Sequence, residues 1–209
     1  MKNKIIFSIF FALMVQGCTM QQATVNEAVA TNTTEASLLM EPRWASFFSG
    51  HDLDSFVFIG DDQWSITDNY VEATSGNPKF LVTTSSFRDI EIYAEFWTSP
   101  EANSGIFIRC QDINNIAAGT CYEVNIFDQR PDQSYRTGGI VNFAAPMAQQ
   151  DAANRWNTYR IISEGERIVV YLNDELMVDI QDDAFFSGPI AFQWSAGTVR
   201  FRNIRFRPL

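Results

Sequence analysis

Residues 90–97 have the sequence IEIYAEFW, in which Ile, Ile, Ala and Phe alternate with Glu, Tyr, Glu and Trp. Side chains on a β-strand point to opposite faces in turn, so a period of two indicates a strand and a period of 3.6 a helix. The stretch therefore predicts a strand with one face on a hydrophobic core. Its other face would carry Glu91, Tyr93, Glu95 and Trp97.

Two stretches that follow show the same alternation. In residues 105–110 the apolar side chains Ile106, Ile108 and Cys110 oppose Phe107 and Arg109. In residues 122–127 the side chains Tyr122, Val124 and Ile126 oppose Glu123, Asn125 and Phe127. If the three strands are neighbours, one surface collects Tyr93, Glu95, Trp97, Phe107, Arg109, Glu123 and Asn125.

Such a surface has two interpretations. Aromatic rings stack on sugar rings, amides and arginines bind hydroxyl groups, and paired carboxylates can transfer protons. The alternative is a solvated sheet face held by cross-strand ion pairs, which contribute little free energy. Trp97 and Phe107 on an otherwise polar face favour a binding site.

The rest of the domain is a series of short β-type runs separated by turn signals, with no internal repeat and no amphipathic helix. This pattern predicts an all-β sandwich of two antiparallel sheets. The further predicted strands are 56–59, 64–66, 70–73, 80–83, 138–143, 157–163, 167–172, 175–180, 189–194 and 198–206.

Composition limits the class of protein. The 209 residues carry a formal net charge of −10, and the sequence pI is near 4.5. Such acidity argues against a nucleic-acid partner, because phosphate binding needs a basic surface. Aromatic residues make up 14% of the chain, which excludes a disordered protein. The composition also excludes a coiled coil, a collagen and a polytopic membrane protein.

The first residues predict export. Lys2 and Lys4 precede an apolar run, residues 5–15, that is too short to span a bilayer and suits a signal peptide over residues 1–17. The run ends in VQGC, which is typical of a bacterial lipobox and makes Cys18 the lipidated first residue of the mature chain. The alternative is an ordinary signal peptide with an accidental cysteine.

After the signal peptide, residues 18–40 lack periodicity and predict a flexible tether, followed by one domain over residues 41–209. Thr19 favours the outer membrane, with the protein facing the periplasm. Membrane contact is then expected through the lipid anchor only. Removing residues 1–17 takes away two lysines and no acidic residue, so the formal charge becomes −12.

The remaining cysteines, Cys110 and Cys121, predict a disulfide, because an exported protein meets an oxidising compartment. The sequence has one histidine, His51, and no Cys-x-x-Cys motif, so no metal site is predicted. No cofactor is expected either.

Several motifs, in order, resemble one known family, the 3-keto-disaccharide hydrolase domain. The resemblance covers about residues 44–207. The motifs are FSGHDL (48–53), NSGIFIR (103–109), YEVNIFD (122–128), Thr137-Gly138, Trp156-Asn157, GPI (188–190) and FRNI (201–204).

The resemblance implies a jelly-roll sandwich similar to concanavalin A-like lectins and glucanases. It implies substrates already oxidised to a ketone at sugar carbon 3, so a sugar 3-dehydrogenase would act upstream. Glu95 and Glu123 would be the base and the acid, in either order, and Arg109 would stabilise the enolate. The implied substrate-binding residues are Trp97, Phe107, Asn125, Phe127, Asp128 and Gln193, of which strict alternation places Asp128 on the core side.

Three positions depart from the family pattern. Asn125 replaces a glutamine, Ser195 replaces a histidine, and His51 replaces a lysine in a turn. The loss of that histidine favours an alternative function, a non-catalytic carbohydrate-binding module on the same fold. An endo-glucanase of this fold is disfavoured, because residues 91–95 lack the central aspartate of its acidic triplet.

Overall fold

Antiparallel pairing joins every strand in the part of the chain that the computed structural model describes, residues 43–60 and 64–209. The described strands are β1 (Ala45–Phe48), β2 (Phe56–Ile59), β3 (Ser65–Thr67), β4 (Tyr70–Ala73), β5 (Lys79–Phe87), β6 (Ile90–Thr98), β7 (Asn103–Ile108), β8 (Tyr122–Ile126), β9 (Trp156–Glu164), β10 (Arg167–Leu172), β11 (Glu175–Gln181), β12 (Gly188–Ala196) and β13 (Val199–Pro208). A short 3-10 helix covers Gln133–Tyr135. No helix in these described ranges has the length and apolar character needed to cross a membrane.

The strands form two sheets. The large sheet has the order β11-β10-β9-β6-β13-β4-β3, and β1 pairs with β13 beside β4. The small sheet has the order β2-β5-β12-β7-β8. The two sheets pack face to face, and the rings of Phe192 on β12 and Phe201 on β13 meet between them at 5.2 Å. The prediction of an all-β sandwich is therefore confirmed.

The alternation predicts correctly which side chains of the strands enter the core. It fails at Cys110, which follows the positive φ of Arg109 and joins a second hydrophobic cluster outside this core. The apolar side chains of β6, β7 and β8 lie in one hydrophobic cluster between the sheets. These are Ile90, Ile92, Ala94, Phe96, Ile106, Ile108, Tyr122, Val124 and Ile126.

The prediction that β6, β7 and β8 share one polar surface is wrong. β6 pairs with β9 and β13 in the large sheet, whereas β7 and β8 pair with each other in the small sheet. The polar faces of β6 and β8 therefore point to opposite sides of the sandwich. Tyr93, Glu95 and Trp97 lie on one outer side, and Phe107, Glu123 and Asn125 lie on the other.

Residues 138–143 were predicted to be a strand but form only isolated bridges. Three backbone bonds still attach this segment to the free edge of β8. Asn125 N donates to Gly139 O, Gly138 N donates to Asn125 O, and Val141 N donates to Glu123 O. β8 is therefore covered on both edges. The sequence pattern did not predict β1, a short strand that rests on β13.

A disulfide joins Cys110 and Cys121, the pairing expected from the cysteine count. It closes the loop between β7 and β8, and Ile116 of that loop packs against a second hydrophobic cluster on the outer face of the small sheet. The predicted signal peptide, Cys18 and the tether lie outside the described residues.

Candidate functional site

The register of the small sheet places two rows of side chains on its outer face. One row crosses the sheet through Ile59, Phe80, Gln193, Gly105 and Asn125. The next row passes through Val57, Val82, Ala191, Phe107 and Glu123. Hydrophobic side chains fill most of this face, so its polar groups are concentrated where β12, β7 and β8 meet.

Gly105 interrupts the row of side chains at the centre of that polar region, and we call this position the hollow, although neighbouring atoms pack closely over it. A Cβ atom at this position would lie 3.2 Å from Glu123 Cγ, 3.2 Å from Val124 O and 3.3 Å from Phe107 Cε2. The side chain of Glu123 and the ring of Phe107 therefore lean over Gly105. Adjacent strands lie about 4.8 Å apart, so Gln193 and Asn125 flank the hollow from about 10 Å apart.

Glu123 is the carboxylic acid of the hollow. It is 8% exposed, and within the described chain its carboxyl group makes no hydrogen bond. Burial raises the pKa of its carboxyl group from 4.5 to about 7, and the nearby charge of Arg130 partly opposes that rise. A buried carboxyl group with this pKa exchanges a proton near neutral pH, as a general acid or base must.

Polar atoms without partners lie on the same face of the small sheet as this acid or in the loop beside it. Six buried side-chain polar atoms in the described chain have no hydrogen-bond partner, and three of them are Asn125 Oδ1, Gln193 Oε1 and Arg130 Nε. The amide nitrogen of Asn125 donates to Tyr135 O, which fixes the direction of its free oxygen. An unsatisfied buried polar atom costs about 1–3 kcal/mol, so three around one acid indicate a site for a polar ligand.

Two aromatic residues predicted to bind substrate have different surroundings. Phe107 is 1% exposed and packs edge-to-face against Phe80 at 5.5 Å, so its ring forms a wall of the hollow rather than an open platform. Phe127 follows the end of β8, is half-buried and belongs to neither hydrophobic cluster. Phe127 therefore remains available for stacking.

Arg109 does not lie beside Glu123, and the implied role of enolate stabiliser stays a prediction that this placement does not support. It follows the end of β7 with a φ of 53°, which breaks the alternation. Its guanidinium is 3% exposed and donates to the backbone carbonyls of Arg88, Gly165 and Phe185. Arg109 holds turns together.

The carboxylate of Asp128 also forms hydrogen bonds within the protein. Its Oδ1 accepts a bond from the Thr137 hydroxyl at 2.6 Å, and its Oδ2 accepts from Ala152 N and Ala153 N. Both carboxylate oxygens are thus used within the protein. Substrate binding by Asp128 stays a prediction that this placement does not support, because β8 ends before Asp128 and its side chain ties two loops together.

Glu95 and Trp97 lie on the outer face of the large sheet. Glu95 accepts bonds from Arg202 Nε at 2.7 Å and Asn203 Nδ2 at 2.8 Å. The guanidinium of Arg200 lies 4.5 Å from the centre of the Trp97 ring. The whole sandwich separates these residues from Glu123, so Glu95 and Glu123 cannot act on one sugar.

Sequence reasoning missed Gly105 and Arg130. The NSG motif indicated a tight turn, and only the register reveals that Gly105 makes room between Gln193 and Asn125. Arg130 lies in a loop where no periodicity applies. Ser195 lies two residues beyond Gln193, at an irregularity in the pairing of β12 with β7. In the described ranges no three His, Cys, Asp or Glu side chains cluster as metal ligands would.

Residues 43–207 match the family model of the 3-keto-alpha-glucoside-1,2-lyase-like domain. The chain belongs to this family. The resemblance drawn from the motifs is thereby confirmed, and membership in the lyase-like family assigns the protein a carbohydrate-related function. No curated protein matches the sequence significantly.

Solved structures share the fold of this lyase-like domain. Two candidate glycosyl hydrolases from Parabacteroides distasonis superpose with TM-scores of 0.70 and 0.67 at 19% and 22% identity. The first similarity covers 79% of this chain and 94% of that chain, and the second covers 80% and 100%. The carbohydrate-binding module CBM66 from Bacillus subtilis superposes with a TM-score of 0.57 at 17% identity, over 79% of this chain and 99% of that chain.

Proposed function

We propose that this protein cleaves glycosides that carry a ketone at sugar carbon 3, and that Glu123 transfers the proton. The observation that carries the proposal is a buried carboxyl group with a pKa of about 7 among unpartnered polar atoms, in a member of the lyase-like family. A group with this pKa is half ionised at neutral pH, so it can take up a proton and return it.

The chemistry is an elimination followed by hydration. The ketone acidifies the hydrogen on carbon 2, and the Glu123 carboxylate removes that proton while the electron pair moves to the carbonyl oxygen as an enolate. The enolate collapses to re-form the ketone, a double bond forms between carbons 1 and 2, and the bond from carbon 1 to the aglycone oxygen breaks. Protonated Glu123 gives its proton to that oxygen. Water then adds across the double bond, so the net reaction is hydrolysis.

Neighbouring side chains supply the cation and the hydrogen-bond acceptors that the reaction also needs. Arg130 is the cation whose charge reaches Glu123, and we assign its guanidinium to the enolate oxygen, the role that the family resemblance implied for Arg109. Asn125 Oδ1 and Gln193 Oε1 are acceptors without donors, and sugar hydroxyl groups are donors. Glu95 has no part in this reaction.

The test is turnover of a chromogenic 3-keto-glucoside by the purified protein, with the unoxidised glucoside as the control substrate. We expect cleavage of the keto sugar alone, at a rate that rises as Glu123 ionises through about pH 7. Glu123→Gln should lower the rate at least about a hundred-fold, which is typical for loss of a general base.

Glu72→Gln makes the same chemical change on the large sheet, where Glu72 pairs with Arg200. This control variant should keep the wild-type rate. Wild-type turnover by Glu123→Gln, or an equal loss in both variants, would refute the role given to Glu123.

Non-catalytic carbohydrate binding is the second candidate function. Two observations favour it: Glu95 and Arg109 do not reach the hollow, and Ser195 occupies the position of the family's histidine. Saturable binding of the keto sugar without cleavage would establish this function, with Asn125 and Gln193 as the binding groups.

We further propose that the protein acts in the bacterial envelope, anchored by lipid at Cys18 on the outer membrane and facing the periplasm. The support is the lipobox-like sequence of residues 15–18. A sugar 3-dehydrogenase must then supply the oxidised substrate, because elimination requires the ketone.

A further inference from the structure

A cleft lies on the outer face of the large sheet, on the opposite side of the sandwich from Glu123. It has a volume of about 360 Å³, within the range of small-molecule sites. The cleft is lined by Ser49, Asn69, Glu95, Arg202 and Asn203. Every one of these side chains is polar.

The lining offers free hydrogen-bonding groups. Within the described chain, the Ser49 hydroxyl and the side-chain amide of Asn69 make no hydrogen bond. Arg202 uses its Nε for Glu95, which leaves both terminal nitrogens without a partner there. The cleft thus presents donors and acceptors close together in a small volume.

The walls of the cleft are preorganised. Gly50 has a φ of 105°, and a Cβ atom there would lie 3.2 Å from Asn69 Cα, so the turn after β1 packs tightly on the β3–β4 turn. Asn203 has a φ of 54°, at an irregularity in the pairing of β13 with β6. Its side chain is held by Glu95 at 2.8 Å.

Charge and aromatic rings indicate the class of ligand. The one carboxylate and the one guanidinium of the cleft neutralise each other at 2.7 Å, so neither a cation nor an anion is strongly favoured. The Arg202 guanidinium lies 3.9 Å from the centre of the Trp156 ring, and Tyr70 packs beside Trp156 at 6.1 Å. A neutral polyhydroxy ligand fits free donors and acceptors next to half-buried aromatic rings.

We propose that this cleft is a second, non-catalytic site that binds one or two units of a neutral glycan. It does not depend on the proposed reaction, since the cleft contains no unpaired carboxylate and needs no ketone on the sugar. A protein with this site would hold a glycan on one side of the sandwich and act on a sugar on the other.

The test uses unoxidised disaccharides, so that its outcome is separate from that of the proposed reaction. Cellobiose and maltose are titrated into the full-length ¹⁵N-labelled protein, and the side-chain amide signals of Asn69 and Asn203 are followed. We expect saturable shifts of both signals with at least one disaccharide.

Variants assign the binding to the cleft. The double variant Ser49→Ala/Asn69→Ala should bind at least tenfold more weakly, and it should stay folded because both side chains are exposed. Asn114→Ala changes an equally exposed asparagine in the loop between β7 and β8, and should bind as the wild type does. The proposal is overturned if neither sugar shifts these amides, if the double variant keeps its affinity, or if sodium acetate shifts them and the sugars do not.

Discussion

Glu123 gives the protein a pH-dependent stability. The folded state holds the Glu123 proton up to about pH 7, whereas the unfolded chain releases it near the ordinary value of 4.5. The folded state binds more protons between these values, so the free energy of unfolding falls as the pH rises through this window. A variant without the Glu123 carboxyl group does not lose this part of the free energy of unfolding as the pH rises.

We therefore expect Glu123→Gln to match the wild type at pH 4 and to be more stable by about 3 kcal/mol at pH 8. Urea denaturation of both proteins at the two pH values measures the difference. A difference that is the same at pH 4 and pH 8 would mean that Glu123 ionises in the folded state as it does in water.

Gly105 matters because it has no side chain. Gly105→Ala places a methyl group 3.2 Å from both Glu123 Cγ and Val124 O, so Glu123 must shift by a few tenths of an ångström from its present position. We expect turnover or sugar binding to fall at least tenfold while the free energy of unfolding changes by only about 1 kcal/mol. Gly119→Ala is the matched control, because a Cβ atom at Gly119 would meet nothing within 4 Å. Equal affinity in the two variants would show that the hollow does not bind the sugar.

At the scale of elements, Arg109 connects strands that belong to different sheets. Its guanidinium bonds the turn before β6, the turn between β9 and β10, and the loop before β12, through the carbonyls of Arg88, Gly165 and Phe185. Truncation would leave these part-buried carbonyls without their charged donor.

We expect Arg109→Ala to lower the free energy of unfolding by about 3–5 kcal/mol. Arg88→Ala removes a half-exposed arginine from the same region and should cost about 1 kcal/mol or less. Chemical denaturation of the two variants provides the comparison. Wild-type stability in Arg109→Ala, together with lost turnover, would return Arg109 to the catalytic role.

The strands also show which features of the fold the sequence pattern can predict and which it cannot. Alternation identified the core side of β6, β7 and β8 because it depends only on the local backbone. It could not assign the strands to sheets, because β6 pairs with β13 more than a hundred positions away and its alternation would be the same beside any partner. Alternation fails altogether at Arg109, where a positive φ turns the side chain away from the face.

At the scale of the molecule, the sandwich separates two polar surfaces with different chemistry. The large sheet pairs most of its charges, as in Arg160 with Glu91 and Arg200 with Glu72. The small sheet leaves the Glu123 carboxyl group buried and without an ion-pair partner in the described chain, so its proton is available near neutral pH. Family motifs contribute to both surfaces, which is why their order in the chain could not reveal which residues work together.

The sequence also predicts where the protein is located in the cell, namely at a membrane. If Cys18 is lipidated, its acyl chains anchor the protein, since two or more hydrocarbon chains give stable membrane attachment. We expect Cys18→Ala to move the protein from the membrane fraction to the soluble fraction of the producing bacterium. Cys110→Ala is the matched control: it removes a cysteine of the domain, and the protein that accumulates should stay with the membrane. Membrane association that is unchanged in Cys18→Ala would exclude the lipid anchor, whatever reaction the outer face of the small sheet carries out.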